Sequence, residues 1–459
     1  MLFRHMTFSA FAQRADSPGP VAEAAAKTLA LVAFLLLNVL YLIACLQRTA
    51  IPGAFFNELQ DDMGLRASQV TRLSSVFFFC YSSLQIFAGM LVDRFGGRRT
   101  GIAGGALIGA GLVLFASARS AGTLYVARAV AAIGQTFLYL CVIRIAHDLF
   151  PPRRFSTLVG LSTAIGAVGS ILGTMPSQWL SQAIGWRSLF SGVGAASLAA
   201  SAALALSCRD LREGGGEKRN AASWRALQNL FNEPRRLCFV THQMFSYPAY
   251  FILQAVLGQK FIQDYLGLPA PKAAFFTLLL TIGGAMFAAT SAPLMERLFG
   301  NRRKPLAYVG NGILVAIPAA MMLGIRLSAP PWFFLACFFA VSANVLNTAP
   351  FSALLAEITD ARTIAFTAAI RNSFPFVGTG VVGAICGRIL DAHAPESNAG
   401  GAAAFPPEAY MWVLAVMLLF ALVGFAMTFP IPETRGKVIW HDETIAGGEN
   451  GKRRENGKH

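Results

Sequence analysis

The chain is 459 residues long, and 55% of its residues are hydrophobic while only 13% are charged. Soluble domains carry about 25% charged residues, so this composition excludes an ordinary soluble protein and indicates one that crosses a membrane many times. The 38 basic and 23 acidic residues give a net charge of +15, but the basic residues lie between apolar segments, which favours membrane topology over nucleic-acid binding as their cause.

Apolar segments of about 20 residues, the length that crosses a hydrocarbon core of about 30 Å, recur along the whole chain. Six come before a polar stretch and six come after it. The predicted membrane helices lie near residues 28–47, 70–91, 100–118, 122–143, 156–179, 188–206, 237–258, 273–294, 305–325, 332–353, 364–388 and 410–429. The basic residues concentrate on the side that both termini share, so we expect both termini to be cytoplasmic and the protein to lie in the inner membrane.

Three polar segments flank and separate these helices: an N-terminal tail (1–27), a linker (208–236) and a C-terminal tail (431–459). The N-terminal tail lacks a continuous apolar core, so we predict no cleaved signal peptide and expect the first helix to direct insertion. The linker combines a glycine run with many basic residues, which is typical of a flexible cytoplasmic connection. We expect all three segments to face the cytoplasm.

A polar stripe marks the first helix, where Asn38, Tyr41, Cys45 and Arg48 recur at helical spacing on one face. Lipid would not tolerate such a stripe, so the helix should turn it towards the interior of the bundle. By the predicted boundary Arg48 lies at the outer end of the helix. It would there either extend to the lipid headgroups or contact a substrate.

The loop after the second helix, residues 89–99 with the sequence GMLVDRFGGRR, combines an acid, three arginines and three glycines. Gly96 and Gly97 permit the positive φ of a short reversal, and Asp93 can pair with an arginine or cap the next helix. A loop of basic residues that only anchors the topology would explain the arginines alone. The charged residues of this loop, and therefore our candidates for conformational gating, are Asp93, Arg94, Arg98 and Arg99.

Polar stripes also mark the fourth, seventh and tenth helices. The residues concerned are Arg128, Gln135 and Tyr139 in the fourth helix, Gln243, Tyr247, Tyr250 and Gln254 in the seventh, and Asn344 and Asn347 in the tenth. His242, in the inner third of the seventh helix, is the histidine placed to titrate inside the bundle or, alternatively, a polar residue at the cytoplasmic end. These stripes predict either a polar central cavity or hydrogen bonds that hold neighbouring helices together.

The loop sequence recurs about two hundred residues later. Residues 291–303, SAPLMERLFGNRR, again place an acid and an arginine, Glu296 and Arg297, before a glycine and two arginines. Such a recurrence indicates two similar halves. We therefore divide the membrane part into an N-terminal bundle of six helices, 28–207, and a C-terminal bundle of six, 237–430.

The pattern GxxxDRxGxRR with a degenerate second copy resembles the signature of the major facilitator superfamily of transporters. The resemblance implies an all-α fold of twelve membrane helices in two pseudo-symmetric bundles that work by alternating access. It also implies that helices one, four, seven and ten line the central cavity, and that Arg128, which precedes Gly134 by six residues, is a buried structural or coupling group. We further expect Asp93 and its neighbouring arginines to form a clasp between the halves on the cytoplasmic side.

Shorter stretches resemble one branch of the superfamily. Residues 48–52 and 250–254 are similar to bacterial importers of amino acids and organic acids. The similarity covers about two helices.

Arg371 follows Arg362 by nine residues, which at 1.5 Å per residue predicts a position about 13 Å deep, near the middle of the bilayer. A central arginine costs about 2.5 to 3.5 kcal/mol on insertion scales, so a partner or a substrate should compensate it. The aspartates and glutamates fall in loops or at helix ends by the predicted boundaries. An interior with arginines and without carboxylates favours an anionic or zwitterionic solute.

The substrate-binding candidates are therefore Arg371 with Asn38, Tyr41, Gln135, Tyr139, Tyr250, Gln254, Asn344 and Asn347, and the additional charge or coupling candidates are Arg48, Arg128 and His242. We predict a monomeric secondary transporter of a small polar organic solute. Its expected partners are that solute, the lipid bilayer and a co-transported ion, with no nucleic acid.

The seven cysteines show no paired spacing, and no GxxxxGK[ST] run is present, so we predict no metal, no nucleotide and no other cofactor. The alternatives are a drug or metabolite exporter of the same superfamily and a membrane sensor that does not transport. An enzyme would need a nucleophile or an acid–base pair inside the bundle. The adjacent His147 and Asp148 lie at a helix end, so we predict no catalytic residues.

Overall fold

The computed structural model describes residues 20–208, 233–359, 364–395, 402 and 404–438. Most of the predicted linker and the outer parts of both tails lie outside these residues. We name residues 20–208 the first half and residues 233–438 the second half. The side that carries the start of the first helix and the end of the last is the tail end, and the opposite side is the far end.

The described residues form α-helices and two short 3-10 helices, and none of them forms a strand. The α-helices are α1 (Pro20–Ala50), α2 (Phe56–Met63), α3 (Ala67–Phe95), α4 (Gly97–Ser117), α5 (Ala121–Leu149), α6 (Pro152–Leu172), α7 (Met175–Ile184), α8 (Trp186–Ser207), α9 (Pro234–Ala255), α10 (Gly258–Leu266), α11 (Ala270–Phe299), α12 (Arg303–Arg326), α13 (Pro331–Val341), α14 (Thr348–Ile358), α15 (Ile364–Ala392) and α16 (Pro407–Ala426).

Within the described residues, ten spans are long and apolar enough to cross a membrane, or eleven when α3, which bends by 61° between Gln85 and Phe87, is counted as one. The span Pro331–Ile358 joins α13 to α14 through a 3-10 helix. Helix α9 supplies the twelfth crossing. Its polar stripe and its basic first turn lower its hydropathy, because much of this helix faces protein rather than lipid. The predicted twelve-helix fold is confirmed.

Two spans, one in each half, break at matching places. Helix α1 passes through the 3-10 helix Gly53–Phe55 into α2, and α9 breaks at Val256 before α10. A Cβ atom on Gly53 would lie 2.5 Å from the carbonyl carbon of Ala255, so glycine lets the two broken spans touch backbone to backbone. The first predicted helix therefore ended too early, because Arg48 and the acidic residues of α2 lower the hydropathy of a stretch that is still helical.

Hydrogen bonds join the two halves from mid-depth to the far end. Gln259 Nε2 donates to the carbonyl oxygen of Ala54 at 3.1 Å, and Ser75 Oγ donates to that of Gly380 at 2.7 Å. The backbone N–H of Ser68, at the start of α3, donates to Asp391 Oδ1 at 3.2 Å, which places a carboxylate at the positive end of a helix. These contacts close the far end of the molecule.

The tail end of the second half is held by a buried ion pair. Arg303 Nη2 lies 2.6 Å from Glu357 Oε1, and Thr434 donates a hydrogen bond to the same carboxylate. Glu433 accepts the backbone N–H groups of Arg303 and Lys304, each at 2.9 Å, and so caps α12. Burial alone would raise the pKa of the Glu433 carboxyl, but the backbone donors hold it below its usual value.

Close backbone packing at Gly378 leads to a stability prediction. A Cβ atom at this position of α15 would lie 1.8 Å from the carbonyl oxygen of Met244 in α9, so Gly378→Ala requires the two helices to separate. Overpacking of this kind costs about 1 to 3 kcal/mol. The variant should unfold at a lower temperature in detergent than the parent protein. Gly160→Ala, where no atom lies within 4 Å, is the matched control and should leave stability unchanged or raise it.

Candidate functional site

Arg48 lies in the last turn of α1, but the span continues beyond it through the 3-10 helix into α2, so the residue lies at the middle depth of the bundle and not at the outer end of the span as the sequence boundary suggested. Its guanidinium interacts electrostatically with Tyr81 of α3 and Tyr247 of α9. Tyr81 is the central residue of α3, with fourteen residues on each side. The correction follows from the continuation of α1 beyond residue 47, which buries Arg48 between the halves instead of exposing it to headgroups.

Five rings from both halves pack against one another beside this arginine, and we call them the aromatic cluster. They are Phe78, Tyr81, Tyr247, Phe251 and Phe376. The rings of Tyr81 and Phe376 have centroids 4.8 Å apart, and those of Phe78 and Phe251 have centroids 5.2 Å apart. The guanidinium carbon of Arg48 lies 6.0 Å from the Phe251 centroid, at the limit of a cation–π contact.

The hydrogen-bonding capacity of Arg48 is largely unused. Its Nη2 atom lies 3.9 Å from Cys45 Sγ, which is a weak acceptor, and its buried Nε has no partner within the described part of the chain. A guanidinium has five N–H donors, and a buried donor without a partner costs about 1 to 3 kcal/mol. A planar anionic group would satisfy these donors in pairs. The central site, Arg48 with the aromatic cluster, is therefore suited to an anion.

Space borders the central site on the side of α15. The side chains of Asn372 and Tyr81 form a hydrogen bond. Asn372 is nevertheless an exposed residue of α15, so it borders open volume. Tyr41 and Tyr139 are only partly buried, and their ring centroids lie 5.3 Å apart. The charged and aromatic groups of the site therefore adjoin open volume, whereas the far end above them is closed.

Arg371 occupies a second, separate position. It lies seven residues before the midpoint of the described helix α15, about 10 Å towards the tail end, so the mid-bilayer depth stays a prediction. Its guanidinium carbon lies 5.2 Å from the Phe239 centroid and 5.3 Å from the Phe351 centroid. These two rings supply the interior partner that the sequence lacked. The buried Nε of Arg371 has no hydrogen-bond partner among the described residues.

His242 shares the same aromatic surroundings. Its ring stacks on Phe351 with centroids 4.1 Å apart, and its Nδ1 lies 3.2 Å from the carbonyl oxygen of Phe239. The side chain is fully buried, and within the described residues its Nε2 has no partner. His242 also interacts electrostatically with Arg371. We call Arg371 and His242 with these two phenylalanines the tail-end site.

The neutral side chains proposed to assist Arg371 lie elsewhere. Tyr250 is eleven residues beyond Phe239 in α9, about 16 Å along the helix. Gln254 Nε2 donates to Thr281 Oγ1 at 3.2 Å and forms a side-chain hydrogen bond with Tyr250. The structure therefore does not bring Tyr250 and Gln254 together with Arg371.

Asn344 and Asn347 are buried in a network of amides between helices. Asn347 Nδ2 lies 3.0 Å from Asn311 Oδ1 and 3.4 Å from Asn344 Oδ1, and Asn311 donates to Thr428. This arrangement matches the alternative of hydrogen bonds between helices.

The candidate residues of the first half also form most of their hydrogen bonds within that half. Arg128 donates to Gln47 Oε1 and to the carbonyl oxygen of Ile51, and its guanidinium carbon lies 4.3 Å from the Phe77 centroid. Gln47 in turn donates to Gln135 at 2.6 Å. Asn38 donates to the carbonyl oxygen of Phe34 in its own helix. Arg128 and Gln135 thus brace α1 against α5.

The gating residues lie at the tail end as expected, and the ion pairs described there are local. Asp93 pairs with Arg144 of α5 at 3.0 Å, and Arg144 also holds Asp148 at 2.6 Å. Arg94 contacts the ring of Phe95, and Glu296 and Arg297 are exposed. A clasp between the halves at Asp93, Arg98 and Arg99 stays a prediction.

Sequence reasoning missed Tyr81, Asn372 and Phe376. All three lie on α3 or α15, whereas the polar stripes pointed to the first, fourth, seventh and tenth helices. A tyrosine at the centre of an apolar helix, and an asparagine directly after the interior Arg371, were the available signals.

Comparison with known proteins agrees with this geometry. The family model described as Major Facilitator Superfamily matches residues 37–384. A probable sulfoacetate transporter of Cupriavidus necator is 25% identical over 302 residues, which cover 62% of the chain and 69% of that protein. A probable sugar efflux transporter of Mannheimia succiniciproducens is 22% identical over 81% of the chain and 91% of its own length.

Solved structures share the fold. A bacterial homologue of the human lysosomal transporter Spinster, in an inward-facing and unoccupied conformation, superimposes with a TM-score of 0.70 at 16% sequence identity. The match covers 90% of this chain and 98% of that one.

Proposed function

The chain belongs to the major facilitator superfamily, and from that premise we propose that it moves a small organic anion across the cytoplasmic membrane by alternating access, with Arg48 holding the anionic group. The observation that carries the proposal is the guanidinium of Arg48 at mid-depth, between rings of both halves, whose Nε has no partner among the described residues and whose Nη2 contacts only the weak acceptor Cys45. An anion at this place contacts both halves and therefore responds to their movement.

The charge distribution supports an anion over a cation. Arg48, Arg128 and Arg371 lie inside the spans, whereas the described aspartates and glutamates lie at span ends. The Nε of each of these three arginines has no partner among the described residues, but Arg128 donates its other nitrogens to two oxygen acceptors, whereas Arg48 contacts only the sulfur of Cys45. In a low dielectric these charges attract an anion and repel a cation over many ångströms.

The size and chemistry of the solute follow from the cluster. A carboxylate or sulfonate presents the oxygen pair that matches a guanidinium edge, and the surrounding rings favour a short carbon skeleton. The similarity to a probable sulfoacetate transporter agrees with this, because sulfoacetate carries a sulfonate and a carboxylate.

The orientation proposed is tail end inside. Basic residues crowd the tail end in the loops at Arg94–Arg99 and Arg302–Lys304, as the positive-inside rule requires of cytoplasmic segments. With the far end closed, the central site faces the cytoplasm in this conformation, as in the inward-facing relative.

A second candidate is export of a neutral solute, which the similarity to a probable sugar efflux transporter favours. The two candidates differ in whether the bound solute neutralises the positive charge of Arg48. A neutral sugar leaves the charge of Arg48 unpaired, whereas an anion neutralises it.

Uptake into proteoliposomes tests the proposal. The purified chain should take up small carboxylates or sulfonates, and the same anions should raise its melting temperature in detergent, since a ligand that binds only the native state stabilises it. Neutral sugars of similar size should do neither. Uptake of a sugar with no response to any anion would establish the second candidate instead, and binding without uptake would indicate a sensor.

A further inference from the structure

We infer that His242 is the site of a co-transported proton, so that one proton crosses with each anion. This inference rests on the proposed function and adds the coupling ion to it. Nε2 of His242 is the atom that gains and loses the proton.

The geometry around His242 leaves one nitrogen for this role. Nδ1 lies within hydrogen-bond distance of the carbonyl oxygen of Phe239, which fixes Nδ1 as the donor in the neutral ring. Nε2 is then an acceptor without a partner, buried among the described residues. Phe351 stacks on the ring and holds its plane. An unprotonated ring nitrogen that is held in a fixed orientation in apolar surroundings is the arrangement that a proton-binding site needs.

Arg371 connects the proton to the anion. Helix α9 packs here against α14 and α15, which contribute Phe351 and Arg371 to the surroundings of His242. Ala307 of α12 and Ile431 beyond α16 complete the apolar cluster. Among the described residues, Arg371 is the charged group that interacts with His242. A positive imidazole next to Arg371 is unfavourable until an anion offsets the repulsion, so the anion and the proton bind together.

The carboxylates of the described residues lie away from the place where the co-transported proton would bind. In the described part of the chain, the nearest acids along the spans are at their ends, and they are engaged there: Glu357 with Arg303, Asp148 with Arg144, and Asp264 with Lys260. None of them adjoins Arg48 or Arg371. Within the described spans His242 is thus the buried base that an anion at the tail-end site can influence.

The proton balance is simple. Nε2 accepts a proton from hydronium in the water on the far side while the anion occupies Arg371, and an N–H bond forms as the O–H bond of hydronium breaks. After the halves reorient, the anion leaves Arg371, repulsion returns, and the N–H bond breaks as the proton passes to cytoplasmic water. A monoanion then moves without net charge, and a dianion moves with one net negative charge.

The experiment uses the full chain in proteoliposomes that contain a pH-sensitive dye. The probe is the carboxylate or sulfonate that gives uptake with the parent protein. Anion entry should acidify the lumen, and an inwardly directed proton gradient should accumulate the anion. In His242→Gln, both the acidification of the lumen and the accumulation of the anion should be at least tenfold smaller than in the parent protein. Exchange of labelled for unlabelled anion needs no net proton movement, and it should stay within about twofold of the parent rate.

Two further variants keep the test decisive. His242→Asn retains an amide donor near the position of Nδ1 and serves if the glutamine variant does not fold. His393→Gln, at the far end of α15 where Nδ1 lies 2.8 Å from the carbonyl oxygen of Ile389, is the matched control and should behave as the parent. Proton movement that persists in a His242 variant with normal exchange overturns the inference. Parent protein that carries the anion without any proton also overturns it, whereas a parent that carries no anion overturns the proposed function itself.

Discussion

Replacing Arg48 with alanine is expected to remove most anion binding and nearly all uptake. Losing a charge-assisted pair in a desolvated site costs about 2 to 5 kcal/mol, or roughly thirtyfold to several thousandfold in Kd. Isothermal titration of the purified variant with the transported anion measures the loss. Uptake in proteoliposomes should fall in parallel, because Arg128, the other arginine near the aromatic cluster, is held by Gln47 and by the carbonyl oxygen of Ile51.

Arg48→Lys separates charge from shape. Lysine keeps the positive charge but loses the planar fork, so affinity should be intermediate between the parent and the alanine variant. Arg72→Ala is the matched control, since Arg72 is an exposed arginine on α3 that contacts Tyr125 away from the central site. An Arg48→Ala protein that is monodisperse and binds the anion with parental affinity would contradict the assignment.

The fold followed from the sequence because membrane helices are specified by length and apolarity alone. Each of the twelve predicted segments lies on a described span, and the errors are at the ends. One of them is at Arg48, where a hydropathy profile ends the helix at a charge although α1 continues to Ala50. A hydropathy profile has no means of recognising that this charge lies inside the protein and not at the membrane surface.

The position of Arg371 shows a different limit. Helix α15 has 29 residues, about 43 Å at 1.5 Å per residue, which exceeds the hydrocarbon core of about 30 Å. The distance of Arg371 from the start of the helix therefore does not by itself give its depth in the bilayer. The rings that contact Arg371 belong to α9 and α14, far away in sequence, so only the packing of the helices reveals them.

The polar stripes were a correct sign of interior faces but a poor guide to function. Asn347 and Gln135 belong to such stripes, and their side chains form hydrogen bonds with other side chains of the protein. A stripe records that lipid is excluded, and it does not distinguish a wet cavity from a dry helix contact. Unused donors, as at Arg48, make that distinction, and these are visible only in the folded chain.

Arg371→Met is expected to abolish coupled uptake while leaving the protein folded. Methionine retains a long apolar side chain against Phe239 and Phe351 but removes the charge, so packing should survive and anion capture at the tail-end site should not. Uptake driven by a proton gradient should fall by at least a hundredfold. Arg371→Lys should retain part of the uptake, because lysine keeps the positive charge but lacks the planar pair of donors that a guanidinium offers.

The competing interpretation is that Arg371 only braces α15 against α9 and α14. That interpretation predicts a loss of stability in Arg371→Ala, which leaves a gap, and normal transport in Arg371→Met, which fills it. Size-exclusion monodispersity and melting temperature report the first effect, and uptake reports the second. A methionine variant as stable as the parent that still transports the anion at the parental rate would leave Arg371 a purely structural residue. Stable protein without coupled uptake instead places its charge on the path of the anion, because the positive charge is the property that methionine lacks.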